Sequence, residues 1–199
     1  MYKKLAILIT DKLIRSNSAV EEKRAIYEYG FQLMFNALVN GVSFLTLALI
    51  SKTFVPCLFF MIGFFAIRGL SGGFHASSPL KCYLLSTISQ VLFILIYNII
   101  PSSIYLTLFS VATPTIIIAL FVFAPVDHKN KPFYGTEYVR FKKRSRIYVL
   151  IIPFVMLPSF FVQPLQTMAF SYLFGSFVAT FAMVAAKIIR IKETRNQAS

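Results

Sequence analysis

The sequence of 199 residues is poor in charge and in cysteine, and it has no tryptophan. Charged residues make up 14% of the chain, whereas a soluble domain usually carries about a quarter. This scarcity argues against an ordinary soluble domain. The two cysteines, Cys57 and Cys82, are too few for a disulfide framework. The lack of tryptophan is unusual for a protein with an interfacial aromatic belt.

Apolar residues, in contrast, make up 57% of the chain, and the mean hydropathy is +0.72. They occur in long blocks rather than in alternation, and most blocks approach the ~20 residues that cross a bilayer. We therefore predict an all-α fold: a polytopic membrane helical bundle with about six transmembrane helices. The predicted spans are 31–50, 54–70, 80–100, 104–126, 147–165 and 166–186.

The N-terminal segment is amphipathic. Leu5, Leu8, Ile9 and Leu13 recur at helical spacing, with lysines on the other side. This pattern predicts a helix in the membrane interface, although a soluble cap helix on the cytoplasmic face fits it equally well. A signal peptide is not expected, because Asp11 and the basic residues around it interrupt the apolar run.

The net charge of +13 is explained by topology rather than by nucleic-acid binding. Of the 20 lysines and arginines, all but Lys52 fall in alternate segments of the predicted layout. The positive-inside rule then predicts a multi-pass cell-membrane protein, with both termini and the connections 68–82 and 127–146 in the cytoplasm. Anionic lipid headgroups are expected partners. The predicted units are an amphipathic segment (1–30), a six-span domain (31–190) and a cytoplasmic tail (191–199).

The connection RGLSGGFHASSPLKC, residues 68–82, concentrates the reactive side chains of the chain. Ser78 and Pro79 predict a helix start, as N-cap and first helical residue. Cys82 then lies in about the first turn, where the helix dipole and Lys81 favour the nucleophilic thiolate.

His75 is the candidate base for that thiol. Gly72 and Gly73 permit the backbone to fold back, so that the imidazole can meet the sulfur and take its proton. The alternatives are a histidine that serves as a polar anchor and a cysteine that serves as a small hydrophobe, as we expect for Cys57. The spacing H-x6-C matches no usual zinc pattern, so no metal or other cofactor is expected.

The pattern R-x3-GG-x-H-x6-C resembles the AgrB family of membrane cysteine endopeptidases. A basic N-terminal segment, about six spans and the sequence KNKPF at 129–133 extend the resemblance over most of the chain. The resemblance implies a quorum-sensing enzyme, and the expected source is a Gram-positive bacterium. Such an enzyme cuts the C-terminal tail from an AgrD-type propeptide, retains the core peptide as a thioester and cyclises it to a thiolactone or lactone. Cys82 would be the nucleophile and His75 the general base.

Further residues are supporting candidates. Arg68 matches the motif without a role that can be derived. Asp127, Glu137, Ser77, Ser78 and Ser86 are candidates for a third catalytic group, with a Cys–His dyad as the default. The leaving segment in this family is typically acidic, so basic residues of the second cytoplasmic connection are candidate substrate contacts, with topology and lipid binding as the alternative. These residues are Lys129, Lys131, Arg140, Lys142, Lys143 and Arg144.

Two other functions compete with peptidase chemistry. One is a small membrane transporter or peptide exporter. The scarcity of ionisable groups inside the predicted spans argues against this function. The other is a non-catalytic scaffold. Loss of precursor cleavage on replacement of Cys82 would separate the peptidase from both, and a homo-oligomer is left open.

Overall fold

The computed structural model describes residues 3–16, 20–71, 79–126, 133 and 135–198. Within these ranges, the side chains of residues 70, 71, 79, 81, 82, 155, 156, 160, 193, 194 and 196–198 are outside the description. The described residues form seven α-helices and contain no strand, which confirms the predicted all-α helical bundle. The helices are α1 (Lys3–Arg15), α2 (Arg24–Ile50), α3 (Phe54–Ser71), α4 (Pro79–Ile99), α5 (Tyr105–Phe123), α6 (Glu137–Met156) and α7 (Gln163–Ala198).

Three segments of the described chain are helical, long and apolar enough to cross a membrane: Glu21–Ile50, Ser102–Phe123 and Gln163–Lys192. Two shorter apolar helices, Phe54–Gly69 and Tyr83–Ile99, accompany them. These five segments correspond to predicted spans, and they support a membrane protein.

The boundaries of the predicted fifth span, 147–165, were wrong. The helix α6 begins ten residues earlier, at Glu137, and ends at Met156, before a short 3-10 turn at Leu157–Phe160. The basic residues that precede 147 mark where the chain becomes polar, but they do not break a helix, because lysine and arginine are good helix formers. Hydropathy therefore located the apolar half of α6 and missed its polar half.

The closest helix contact in the bundle joins α3 to α7. A Cβ atom added at Gly63 would overlap the carbonyl oxygen of Tyr172, and one added at Gly175 would overlap that of Phe60. Only glycine permits the two backbones to approach this closely, which is the usual role of small residues between membrane helices. The pair α3 and α7 thus forms the centre of the bundle.

Aromatic side chains join the other helices to this pair. The ring of Phe60 on α3 stacks on Phe93 of α4, with 4.7 Å between centroids. The ring of Tyr105 on α5 stacks on Phe170 of α7 at 4.3 Å. These side chains are almost fully buried, so α4 and α5 are held on either side of the central pair by dispersion and close packing.

Polar contacts connect α2 to α4. The Gln90 side chain, 1% exposed, donates a hydrogen bond of 2.9 Å from Nε2 to the carbonyl oxygen of Phe44. The hydroxyls of Ser43 and Tyr83 lie 3.0 Å apart and share a second hydrogen bond. Such bonds are expected between helices in a medium that offers few other partners.

The helix α1 packs against α2. Ala6 and Thr10 are fully buried, whereas Leu5 and Leu8 are exposed. Arg24 at the start of α2 donates a hydrogen bond of 2.5 Å to Asp11 of α1. The face of α1 that carries Ala6 and Thr10 therefore packs on α2, whereas Leu5 and Leu8 of its predicted apolar face are exposed.

Candidate active site

The helix α4 begins at Pro79, the residue predicted to occupy the first helical position. Position 82 is therefore in the first turn of α4, as predicted. Arg68 lies in the last turn of α3, so both positions flank the same connection. Residues 72–78 are outside the described part of the chain, and with them the predicted site residues Gly72, Gly73, His75 and Ser78.

A cavity of about 700 Å³ lies between α3, α4 and α7. Its lining is almost wholly apolar, with Phe64 of α3, Leu92 of α4 and Phe177 of α7 among the contributors. Its polar lining residues are Arg68, Ser86 and Ser89. This volume falls in the range of roughly 300–1,000 Å³ that is typical of small-ligand pockets, as does the combination of apolar walls and few polar groups.

Position 82 lies on the face of α4 that lines this cavity. The lining residues of α4 are Leu85, Ser86, Ser89, Leu92 and Ile96, which at 3.6 residues per turn occupy an arc of roughly 120°. Position 82 falls inside that arc, one turn before Ser86. By helical periodicity, position 82 is therefore in register with the cavity-lining face of α4.

The polar residues of the cavity are concentrated towards position 82. Ser86 and Ser89 follow it by one and two turns, and the Oγ of Ser89 donates a hydrogen bond of 2.7 Å to the carbonyl oxygen of Leu85. Arg68 is half-buried, with its guanidinium carbon 5.7 Å from the centre of the Phe64 ring. Leu92 and Ile96, further along α4, are apolar. The cavity thus has a polar end near position 82 and an apolar interior.

The first turns of α4 are anchored to α2. Tyr83 directly follows position 82, and its hydroxyl is the group that shares a hydrogen bond with Ser43. This contact restrains the rotation of the turn that carries the candidate nucleophile. It was not predicted, because nothing in the sequence pairs residues 40 positions apart.

Cys57 occupies a different environment. It is fully buried in the hydrophobic core, with its sulfur 3.4 Å from the hydroxyl of Thr53 and 3.9 Å from the amide nitrogen of Gln90. The prediction that Cys57 is a structural core residue is confirmed.

The candidates of the second cytoplasmic connection fall into two groups. Asp127, Lys129 and Lys131 are outside the described residues. The other four candidates lie on the N-terminal half of α6 and are exposed; they are Arg140, Lys142, Lys143 and Arg144. Arg146, which follows them, instead packs against α5, with its guanidinium carbon 3.8 Å from the centre of the Phe121 ring. The exposed group is thus available to solvent, to lipid headgroups or to an acidic segment.

Of the predicted site residues, the structure brings Arg68 and Ser86 together at one cavity. Glu137, another candidate, begins α6 and is not part of that lining. Sequence reasoning missed Ser89, although its spacing of seven residues from Cys82 was a usable signal for a shared helix face.

A family model described as accessory gene regulator B matches residues 6–190. The chain belongs to the AgrB family. The AgrB family provides the processing enzyme of the accessory gene regulator system, so the chain is a membrane protein of an autoinducer, or quorum-sensing, pathway in which a propeptide is the general partner.

Several curated proteins described as AgrB-like are similar to this chain. One from Clostridium perfringens (strain 13 / Type A) is 29% identical over 160 residues, covering 76% of this chain and 73% of that protein. Another from Listeria monocytogenes serotype 4a (strain HCC23) is 29% identical over 138 residues, covering 66% and 64%. No solved structure shows a significant match.

Proposed function

We propose that this AgrB-family protein is a membrane cysteine endopeptidase that cleaves the C-terminal tail of an AgrD-type propeptide and supports cyclisation of the retained part. Cys82 is the nucleophile, and His75 is the general base. The active-site connection and both termini face the cytoplasm, as the distribution of basic residues favours.

The proposed reaction has two acyl transfers. His75 takes the proton of the Cys82 thiol, and the thiolate attacks the carbonyl carbon of the scissile bond. The carbon–nitrogen bond breaks, the leaving amine receives that proton, and a thioester remains. A thiol or hydroxyl of the bound peptide then attacks the thioester, giving a thiolactone or lactone. The released Cys82 sulfur recovers a proton through His75.

One observation carries this proposal: position 82 lies at the helix start on the face that lines a largely apolar cavity. A helix N-terminus stabilises a thiolate. An apolar cavity beside the thioester lowers access of water, so that attack by the peptide's own nucleophile can compete with hydrolysis.

The exposed basic residues of α6 are proposed to attract the acidic leaving segment. The group of Arg140, Lys142, Lys143 and Arg144 carries four positive charges on one exposed half-helix. Attraction at such a surface is long-range and weakened by salt. Lys129 and Lys131 are proposed to contribute to the same surface, and Asp127 to orient His75.

The test is processing of a synthetic AgrD-type propeptide by the full-length protein in liposomes. Mass spectrometry identifies the products. Cys82→Ala and His75→Ala should each abolish cleavage. Cys57→Ala is the matched control, since it removes the other thiol, which is not among the residues that line the cavity, and this variant should still cut the peptide.

Normal cleavage by Cys82→Ala would refute the peptidase mechanism. It would favour an exporter or a scaffold, for which this thiol has no chemical role. Folding of each variant is checked by size-exclusion chromatography, so that loss of activity is compared only between intact proteins.

A further inference from the structure

The cavity between α3, α4 and α7 is larger than the chemistry of one thiol requires. A thioester needs room for a single carbonyl group, whereas this space measures about 700 Å³ and extends along α4 from Ser86 to Ile96. That distance is ten residues, or about 15 Å of helix. Most of the cavity is therefore available for something other than the reacting bond.

The residues that line the cavity indicate which kind of ligand it would bind. Among the described residues, the lining beyond Arg68, Ser86 and Ser89 is alkyl and aromatic, and burial of a charged group there would be costly. Large apolar groups would instead gain from leaving water. The hydroxyls near position 82 are suited to polar groups of a peptide backbone close to the reacting carbonyl.

From this arrangement we infer that the cavity is the specificity pocket for apolar side chains on the retained, N-terminal side of the scissile bond. The inference rests on the proposed function, because only the retained part stays attached at position 82 between the two acyl transfers. By helical periodicity, position 82 is in register with the cavity-lining face of α4, one turn before Ser86. Ser89, two turns from position 82, is the residue best placed to set the size of the group admitted.

Ser89 and Ser110 provide a matched pair of variants. Both are within apolar helices, and each hydroxyl donates to the carbonyl oxygen four residues earlier, at 2.7 Å for Ser89 and 3.1 Å for Ser110. Ser89 lines the cavity, whereas Ser110 is exposed on α5. Ser89→Phe fills the cavity, and Ser110→Phe adds the same group to an outward face.

The first measurement is binding, independent of cleavage. The synthetic propeptide carries a photoactivatable leucine analogue at one apolar position before the scissile bond, and it is mixed with the Cys82→Ala protein in liposomes. Cross-links should map to cavity residues such as Leu92 and Phe177. They should be lost with Ser89→Phe in that background and retained with Ser110→Phe. Cross-links elsewhere, or cross-links unchanged by Ser89→Phe, would overturn the inference.

The second measurement is the selectivity between peptide substrates, in protein that retains Cys82. Ser89→Phe should lower kcat/KM for the synthetic propeptide by about tenfold or more, the usual effect of misfit in an apolar pocket. A peptide with alanine in place of the apolar residue that cross-links should recover part of this loss. An equal loss for all peptides, or an equal loss in Ser110→Phe, would contradict a specificity pocket.

A lipid is the competing occupant. If Ser89→Phe reduces the phospholipid that copurifies with the protein and leaves both cross-linking and peptide selectivity unchanged, the cavity holds an acyl chain and the inference is wrong. Retained cleavage by Cys82→Ala would refute the proposed function, while the cross-link map would still report whether the peptide enters the cavity.

Discussion

At the scale of single residues, two cysteines of one chain have different environments. Cys57 has no exposed surface and lies among core residues of α3 and α4. Position 82 belongs to the first turn of α4, at a helix N-terminus and next to Lys81. Burial suppresses thiol reactivity, and a helix N-terminus increases it. The two thiols should therefore react with alkylating reagents at different rates.

We expect a membrane-permeant maleimide to alkylate Cys82 much faster than Cys57 in the folded protein. The physical reasons are access and the fraction of thiolate. The rates are measured by peptide mass spectrometry after timed quenching, and both thiols should react alike in denaturant. Equal rates in the folded protein would contradict the proposed activation of Cys82.

At the scale of elements, a helix can extend well beyond the apolar segment that would cross the membrane. The helix α6 runs through exposed basic residues before its apolar half, and α7 has 36 residues, or about 54 Å, against a hydrocarbon core of ~30 Å. Charged residues mark where a helix leaves the bilayer, but they do not end the helix, because lysine, arginine and glutamate are good helix formers. The sequence therefore predicted both ends of α3 and α4 to within one residue and missed the extensions of α2, α6 and α7.

The contact between α3 and α7 gives a prediction at this scale. Gly175→Ala should destabilise the protein by about 1–3 kcal/mol, the usual cost of overpacking, because the added Cβ would overlap the backbone carbonyl of Phe60, which cannot rotate away. The measurement is the midpoint of thermal unfolding in detergent.

The matched control is Gly41→Ala on α2. A Cβ at Gly41 meets no atom within 4 Å, and alanine favours a helix over glycine by up to about 1 kcal/mol. This variant should keep or raise the unfolding temperature. A similar loss in both variants, or a gain in both as helix propensity alone predicts, would contradict the close-packing role of Gly175.

At the scale of the whole molecule, residues that are far apart in the chain meet at one cavity. Arg68 near the end of α3, Ser86 near the start of α4 and Ile189 near the end of α7 line one cavity. Arg146 in the middle of α6 contacts Phe121 near the end of α5. The termini and the connections predicted to be cytoplasmic carry most of the positive charge of the chain, so we propose that the end with Arg68 faces the cytoplasm.

Single cysteines in a cysteine-free background should report this topology in intact cells. A cysteine at Ser102, in the connection at the opposite end, should react with a membrane-impermeant maleimide added outside. A cysteine at Lys142 should react only after permeabilisation, because the basic half of α6 is predicted to be internal. Labelling of Lys142→Cys from outside would invert the proposed orientation.

The sequence by itself determined the bundle class, the approximate spans, the start of α4 at Pro79 and the structural role of Cys57. These follow from local signals: apolar length, turn chemistry and the charge of connections. Only the tertiary structure decided that α3 and α7 form the central pair, that Tyr83 is bonded to Ser43, and that a cavity follows the helix face of position 82. Those features depend on contacts between residues far apart in the chain, which no local pattern records.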